Sequence, residues 1–299
     1  MIGITKILAP VDFSEPSKRA VAYAAALAEQ FHAKLILAHI VPSSAALNYA
    51  FPVESFGVEQ TQYKRATQEL QALLPADRAV ATGLQTISKI GHVDEELLKI
   101  VEDEDIDLVV MGTHGRRSAV RWFMGSTTER LLRKVPVPVL TVGHTADGGR
   151  ATDGGLMTAK HILYAADFPE HNPGMDYACA LARAAGAQLT IVHVVEHLNL
   201  MYGAAEHITG EASHRVDEMR GRFREYLSHE VTQGLTIETI VLDGRAYEEI
   251  LKSAGERGAD MIILNRRSKG ILERAFLGST AERVVRLAHV PVLSVPAAE

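Results

Sequence analysis

Short apolar runs alternate along this chain with longer stretches whose apolar positions recur every three or four residues. The runs at 7–11 (ILAPV), 35–41 (LILAHIV), 84–90 (LQTISKI), 108–112 (LVVMG) and 138–142 (PVLTV) are brief, aliphatic and not strictly alternating. That pattern predicts strands covered on both faces. The stretches at 17–31, 58–74, 94–104 and 126–135 predict amphipathic helices, with Asp94 and Ser126 placed as N-caps. Strand–helix alternation of this kind predicts an α/β fold with a doubly wound parallel sheet and right-handed crossovers. Beyond residue 160 the scheme returns, with ILYAA, LTIVHVV, LTIETIVL, MIILN and PVLSV as strands.

The return is a repeat. KILAPVDFSEP at 6–16 echoes HILYAADFPEH at 161–171, and AKLILAHIV at 33–41 echoes AQLTIVHVV at 187–195. Residues 91–142 align with 244–295 without a gap, and about 19 of the 52 positions are identical, well above chance for unrelated segments. The segment 143–155 is rich in Gly, Asp and Thr and reads as a linker. The expected organisation is one domain over 1–145, a linker over 146–157 and a second copy over 158–299. Each copy is expected to hold a five-stranded parallel sheet. The apolar β-branched runs PVLTV and PVLSV close each copy, and as unpaired edges they would be liabilities. They are expected to pair the copies into an internal pseudo-dimer, and two chains can associate further into a homodimer.

Composition narrows the partners. Lys and Arg number 31 against 37 Asp and Glu, a net charge of −6, so general phosphate-backbone binding is disfavoured. The single cysteine, Cys179, excludes an internal disulfide and a Cys-based zinc cage, and it lies in an Ala-rich helical pattern that predicts burial. No run of about 18 apolar residues exists, and Lys6, Asp12 and Glu15 interrupt the N-terminal apolar stretch. The expectation is a cytoplasmic protein with no membrane or nucleic-acid partner.

In a doubly wound sheet, ligands sit beyond the carboxyl ends of the strands, where strand order reverses. After the fourth strand the first copy reads GTHGRRSAVRWFMGST at 112–127. Gly112 and Gly115 allow close backbone approach, and Gly125, Ser126 and Thr127 open a helix whose amides and dipole favour anions. The spacing alone is equally that of a Gly-rich turn before an ordinary helix. Asp12, ending the first strand, is placed to accept from a ribose or a base, or to shape the turn into the first helix beside Ser14. Neither a Walker loop nor a dinucleotide-binding G-x-G-x-x-G is present.

Together these residues resemble the universal stress protein family, over essentially both copies, in its tandem form. The G-x2-G-x9-G-[ST] pattern stands at Gly112, Gly115, Gly125 and Ser126. The P-[VT]-D-x-S feature stands at Pro10, Val11, Asp12 and Ser14, and H-[VI]-V at His39, Ile40 and Val41. The resemblance implies an adenine nucleotide alpha-hydrolase-like fold that binds ATP, with or without Mg2+. It implies Pro10, Val11 and Asp12 beside the adenine and ribose, Ile40 beside the base, and Met111 and Gly112 along the adenosine. His114, Gly115, Arg116, Gly125, Ser126 and Thr127 would surround the phosphates. The second copy keeps Asp167, Gly278, Ser279 and Thr280 and places Val194 where Ile40 stands, but it has Asn265 for Gly112 and Ser268 for Gly115. A Cβ at those positions obstructs close backbone approach, so this degenerate site is expected to bind ATP poorly or not at all.

Other features carry less. His193, His197, His207 and His214 lack a metal-ligand spacing, so no metal is expected. Arg116, Arg117, Arg121, Arg266, Arg267 and Lys269 pair with phosphates or are solvated loop charges. Trp122, Phe123 and Phe276 are expected to pack the signature loops, and the segments 42–57 and 196–212 are variable loops, lids or partner surfaces. No nucleophile–base arrangement is evident. The expected function is regulatory nucleotide binding in a stress response, without assigned catalysis and with slow ATP hydrolysis left open. The alternative is a non-nucleotide scaffold or small-ligand carrier acting through unknown protein partners. An adenylate-forming enzyme is disfavoured, because VDFSEPS follows the first strand in place of a Ser-Gly-Gly loop.

Overall fold

The computed structural model describes residues 3–43, 52–113, 124–143, 159–167, 173–195, 221, 232–266 and 278–297, with only the backbone described over 52–58. In the first half, strands β1 (Lys6–Pro10), β2 (Lys34–Pro42), β3 (Gln85–Gly91), β4 (Leu108–Gly112) and β5 (Val139–Val142) alternate with helices. The helices are α1 (Glu15–Phe31), α2 (Pro52–Gln71), α3 (Ala76–Ala81), α4 (Val93–Asp103) and α5 (Ser126–Lys134). The second half contributes β6 (His161–Ala165), α6 (Pro173–Ala185), β7 (Gln188–Val195), β8 (Ile237–Asp243), α7 (Ala246–Glu256), β9 (Met261–Arg266), α8 (Ser279–Leu287) and β10 (Val292–Pro296).

All ten strands form one sheet in the order β3-β2-β1-β4-β5-β10-β9-β6-β7-β8. Within each half every pairing is parallel. The halves join where β5 and β10 pair antiparallel, Thr141 opposite Val292 and Val139 opposite Ser294. The Thr141 hydroxyl adds a bond to the Val292 carbonyl at 3.1 Å. The expected pairing of PVLTV with PVLSV is therefore the seam of the molecule. Two apolar layers cover the sheet, and each runs through both halves: α1 and α6 lie on one face, α4, α5, α7 and α8 on the other. Strand order reverses between β1 and β4, and again between β6 and β9, which fixes one crevice per half at the carboxyl ends of those strands.

Local sequence explains the element ends. Asp107 Oδ2 accepts from the Thr5 and Lys6 amides at 2.7 and 2.9 Å, and Asp260 Oδ2 does the same for Lys160 and His161 at 2.7 and 3.0 Å. One retained carboxylate thus pins the start of the first strand in each copy. Ser14 caps α1 by accepting from Ser17 N, and Pro16 sits in the first turn, where its missing N–H costs nothing. Two expected caps are displaced. His92 and Gly125 are the N-caps of α4 and α5, so Asp94 and Ser126 lie inside their helices. Asp94 is instead drawn into ion pairs with Arg130 at 3.2 Å and Lys134 at 3.9 Å. α2 begins at Pro52, earlier than its apolar periodicity predicts, and α3 is an additional short helix.

Candidate functional site

The first crevice is built from the end of β1 outward. Val11 N continues the ladder to the Ala38 carbonyl at 2.8 Å, and His39 Nδ1 donates to the Val11 carbonyl at 2.6 Å. A carbonyl only accepts, so the proton of the His39 ring sits on Nδ1. Phe13 follows in the left-handed region at φ 63, against the His39 ring with centroids 4.8 Å apart. A bulky residue held there stores roughly 1–3 kcal/mol. Asp12 Oδ1 holds the turn by accepting from Ser14 N at 3.0 Å and Ser14 Oγ at 2.5 Å. The turn-shaping role considered for Asp12 is thus observed. The second half repeats the outline: Ala166 N bonds the Val192 carbonyl and His193 Nδ1 donates to the Ala166 carbonyl at 3.0 Å. Asp167 lies half-buried beyond it.

Opposite β1 stands the end of β4. A Cβ on Gly112 would lie 3.0 Å from the carbonyl carbon and Cβ of Pro16, both in the first turn of α1. A Cβ there would force the strand or the helix to give by a few tenths of an ångström. Thr113 accepts from Gly125 N at 2.9 Å, closing the neck of the loop between them. Thr128 Oγ1 donates to the Gly112 carbonyl at 3.0 Å, tying the first turn of α5 to β4. Gly125 supplies no side-chain cap, and Ser126 is exposed at the helix start. Ile40 and Met111 are buried together in the layer under α4 and α5, whereas Val11 is buried in the layer under α1. Pro10, Val11, Asp12, Gly112, Gly125, Ser126 and Thr127 thus gather at the carboxyl ends of β1 and β4. His114, Gly115, Arg116 and Ser268 lie outside the described residues, as do Trp122, Phe123, Phe276, Arg267 and Lys269.

The second crevice is filled from within. Asn265, in the position of Gly112, accepts from Gly174 N through Oδ1 at 3.0 Å and donates through Nδ2 to the Tyr164 hydroxyl at 3.1 Å. Tyr164 stands where the first half has Ala9, and its side chain is fully buried. The helix yields at Gly174, where a Cβ would come within 2.3 Å of Asn265 Oδ1 and 3.0 Å of the Tyr164 ring. Thr128 has Ala281 as its counterpart, so the hydroxyl that ties α5 to β4 is missing from α8. Val194 is half-buried, where Ile40 is buried.

Arg266 corrects the expectation of a loop charge facing phosphate or solvent. Its guanidinium is buried and bonds the carbonyls of Leu132, Val135 and Val137 in the other half. Of the clustered histidines only His193 is described, and no group of three metal-ligating side chains occurs among the described residues. Cys179 is fully buried, and burial pushes its thiol up to about 11. No helix among the described residues is long and apolar enough to cross a membrane. Phe13, Thr128, Tyr164 and Gly174 were missed by the reading of the sequence. The signal for Tyr164 and Thr128 lay in the repeat itself, where Ala9 faces Tyr164 and Thr128 faces Ala281.

Comparison with known proteins agrees with this fold. A sequence model described as the universal stress protein family matches residues 3–143 and 158–296. A universal stress protein of Mycobacterium tuberculosis is 23% identical over 268 residues, covering 82% of this chain and 86% of that one. A shorter one from Methanocaldococcus jannaschii is 27% identical over 151 residues, covering 46% of this chain and 93% of its own. The crystal structure of a universal stress protein from Archaeoglobus fulgidus superimposes over 100% of this chain and 98% of its own, with a TM-score of 0.69 at 20% identity, a likeness of fold.

Proposed function

The chain belongs to the universal stress protein family, with two such domains in tandem, and on that premise we propose that it is a regulatory protein that binds ATP in its first half only. The difference between Gly112 and Asn265 carries this reading. The first crevice keeps the close approach of β4 to α1 and the tether from Thr128. The second spends the same space on the Asn265–Gly174–Tyr164 contacts. A nucleotide would lie along Val11, Asp12, Met111 and Gly112, with its phosphates at the start of α5, where amides and dipole favour negative charge. His114, Gly115 and Arg116 would complete the phosphate end. Mg2+, where it accompanies the nucleotide, would neutralise phosphate charge. No general base is assigned, so the output is a change of surface on binding, in the service of a stress response.

Calorimetric titration of the whole chain with ATP, with and without Mg2+, tests the reading. The expected stoichiometry is one per chain. Two equivalent sites would overturn the asymmetry. No binding at millimolar ATP would replace the reading with that of a non-nucleotide scaffold.

A further inference from the structure

Arg266 ends β9, directly after Asn265, yet its side chain works in the other half. Leu132 lies in the last turn of α5, Val135 is that helix's C-cap, and Val137 lies in the turn that leads into β5. The last carbonyls of a helix have no partner within it, and the negative end of its dipole attracts a cation. Arg266 meets both demands, donating to Val135 and Val137 at 2.9 Å each and to Leu132 as well. Burial pushes the guanidinium down to about 10, so it stays charged at neutral pH. A buried cation is costly unless several dipoles face it, as these three carbonyls do.

Among the described residues the connection runs one way. The repeat places Thr113 where Arg266 stands, a side chain too short to make the same reach to the end of α8. The antiparallel seam explains the reach, because it sets the carboxyl ends of β9 and β10 against the start of β5. α5 is nine residues long, roughly 13 Å at the usual rise per residue. Thr128 ties its first turn to Gly112, and Arg266 holds its last turn. A short rod fixed at both ends holds Gly125, Ser126 and Thr127 at a set position over β4.

We propose that Arg266 is a positioning residue for the nucleotide site of the opposite half: by holding the far end of α5 it sets the place of the phosphate-facing turn. The proposal rests on the reading of that site given above. The test uses the full chain with Arg266→Met, which keeps the bulk and removes the donors, and Arg266→Lys, which keeps the charge. Three quantities are measured: ATP affinity well below the melting transition, amide exchange over 126–135 against 279–288, and thermal stability. Arg266→Met is expected to weaken ATP binding about tenfold and to speed exchange in α5 while leaving α8 unchanged. Arg266→Lys is expected to fall between it and the unaltered chain, and it decides the matter if the Met variant does not fold. A purely structural arginine would lower the melting temperature with ATP affinity unchanged, and that result overturns the proposal. Unchanged exchange in α5 overturns it too. Failure of the unaltered chain to bind ATP overturns the site reading itself, whereas normal binding there with unchanged affinity in both variants overturns only the role of Arg266.

Discussion

The two crevices of this molecule began as copies and now differ in how they use the same volume. In the first, Ala9 and Gly112 are small, and Pro16 at the start of α1 closes onto the strand. In the second, Tyr164 and Asn265 are large, and Gly174 gives way instead. The same volume is thus filled from different elements in the two halves, with the fold kept intact. A second exchange follows the same logic at a surface. Asp94 pairs with Arg130 at 3.2 Å in the first half, and Tyr247 lies 4.6 Å beneath Arg283 at the corresponding place in the second. An exposed ion pair and a cation–π contact are each worth about 0.5–1 kcal/mol, so the helices stay docked either way.

The most severe way to break the contrast is to write the second crevice into the first. Gly112→Asn would drive a side chain against the main chain of Pro16. The expected result is a loss of ATP affinity of about 100-fold or more, near 2.7 kcal/mol at 1.36 kcal/mol per decade. Equilibrium dialysis of the whole chain reads it, and retained affinity would mean that the crevice is not the nucleotide site.

The reverse probe is Asn265→Ala. It removes the hydrogen bonds that Asn265 makes to the Gly174 amide and the Tyr164 hydroxyl. A typical intramolecular hydrogen bond contributes about 0.5–1.5 kcal/mol, so losing two should move thermal unfolding down by several degrees. An unmoved transition would show that the Asn265 contacts fill space without stabilising it.

A gentler probe uses pH. Cys179 stands where the first half has Ala25, and burial raises its thiol from 9.0 to about 11. Between those values the unfolded chain has released a proton that the folded chain retains. Stability should therefore fall as pH rises from 9 to 11, by about 2 kcal/mol, and this site should contribute nothing below pH 9. Denaturant titrations across that window should show a shallower decline for Cys179→Ala, and parallel curves would remove the thiol from the account.

The strands, the repeat, the seam and the Gly112, Gly125 and Ser126 spacing were legible in the sequence, because each depends on neighbours in the chain or on register between the copies. Asp94 was misplaced by two residues as a cap, since a helix start is decided by which residue turns first and not by which has the better capping side chain. Arg266 was unreadable for a different reason. Its partners lie more than a hundred residues away, and only the antiparallel pairing of β5 with β10 brings them within reach. The filling of the second crevice was half legible: Asn265 announced a lost glycine, but its partners Gly174 and Tyr164 follow from packing across three elements.

The seam has a consequence for symmetry. Two separate chains meeting through this antiparallel pairing would present identical surfaces to each other, so any residue reaching across would do so twice or not at all. They would also part on dilution. Here β5 and β10 belong to one polypeptide, so their meeting does not depend on protein concentration. The encounter is thus unimolecular, and the two faces are free to differ. Arg266 can reach across once, in one direction, and never meets its own copy coming the other way.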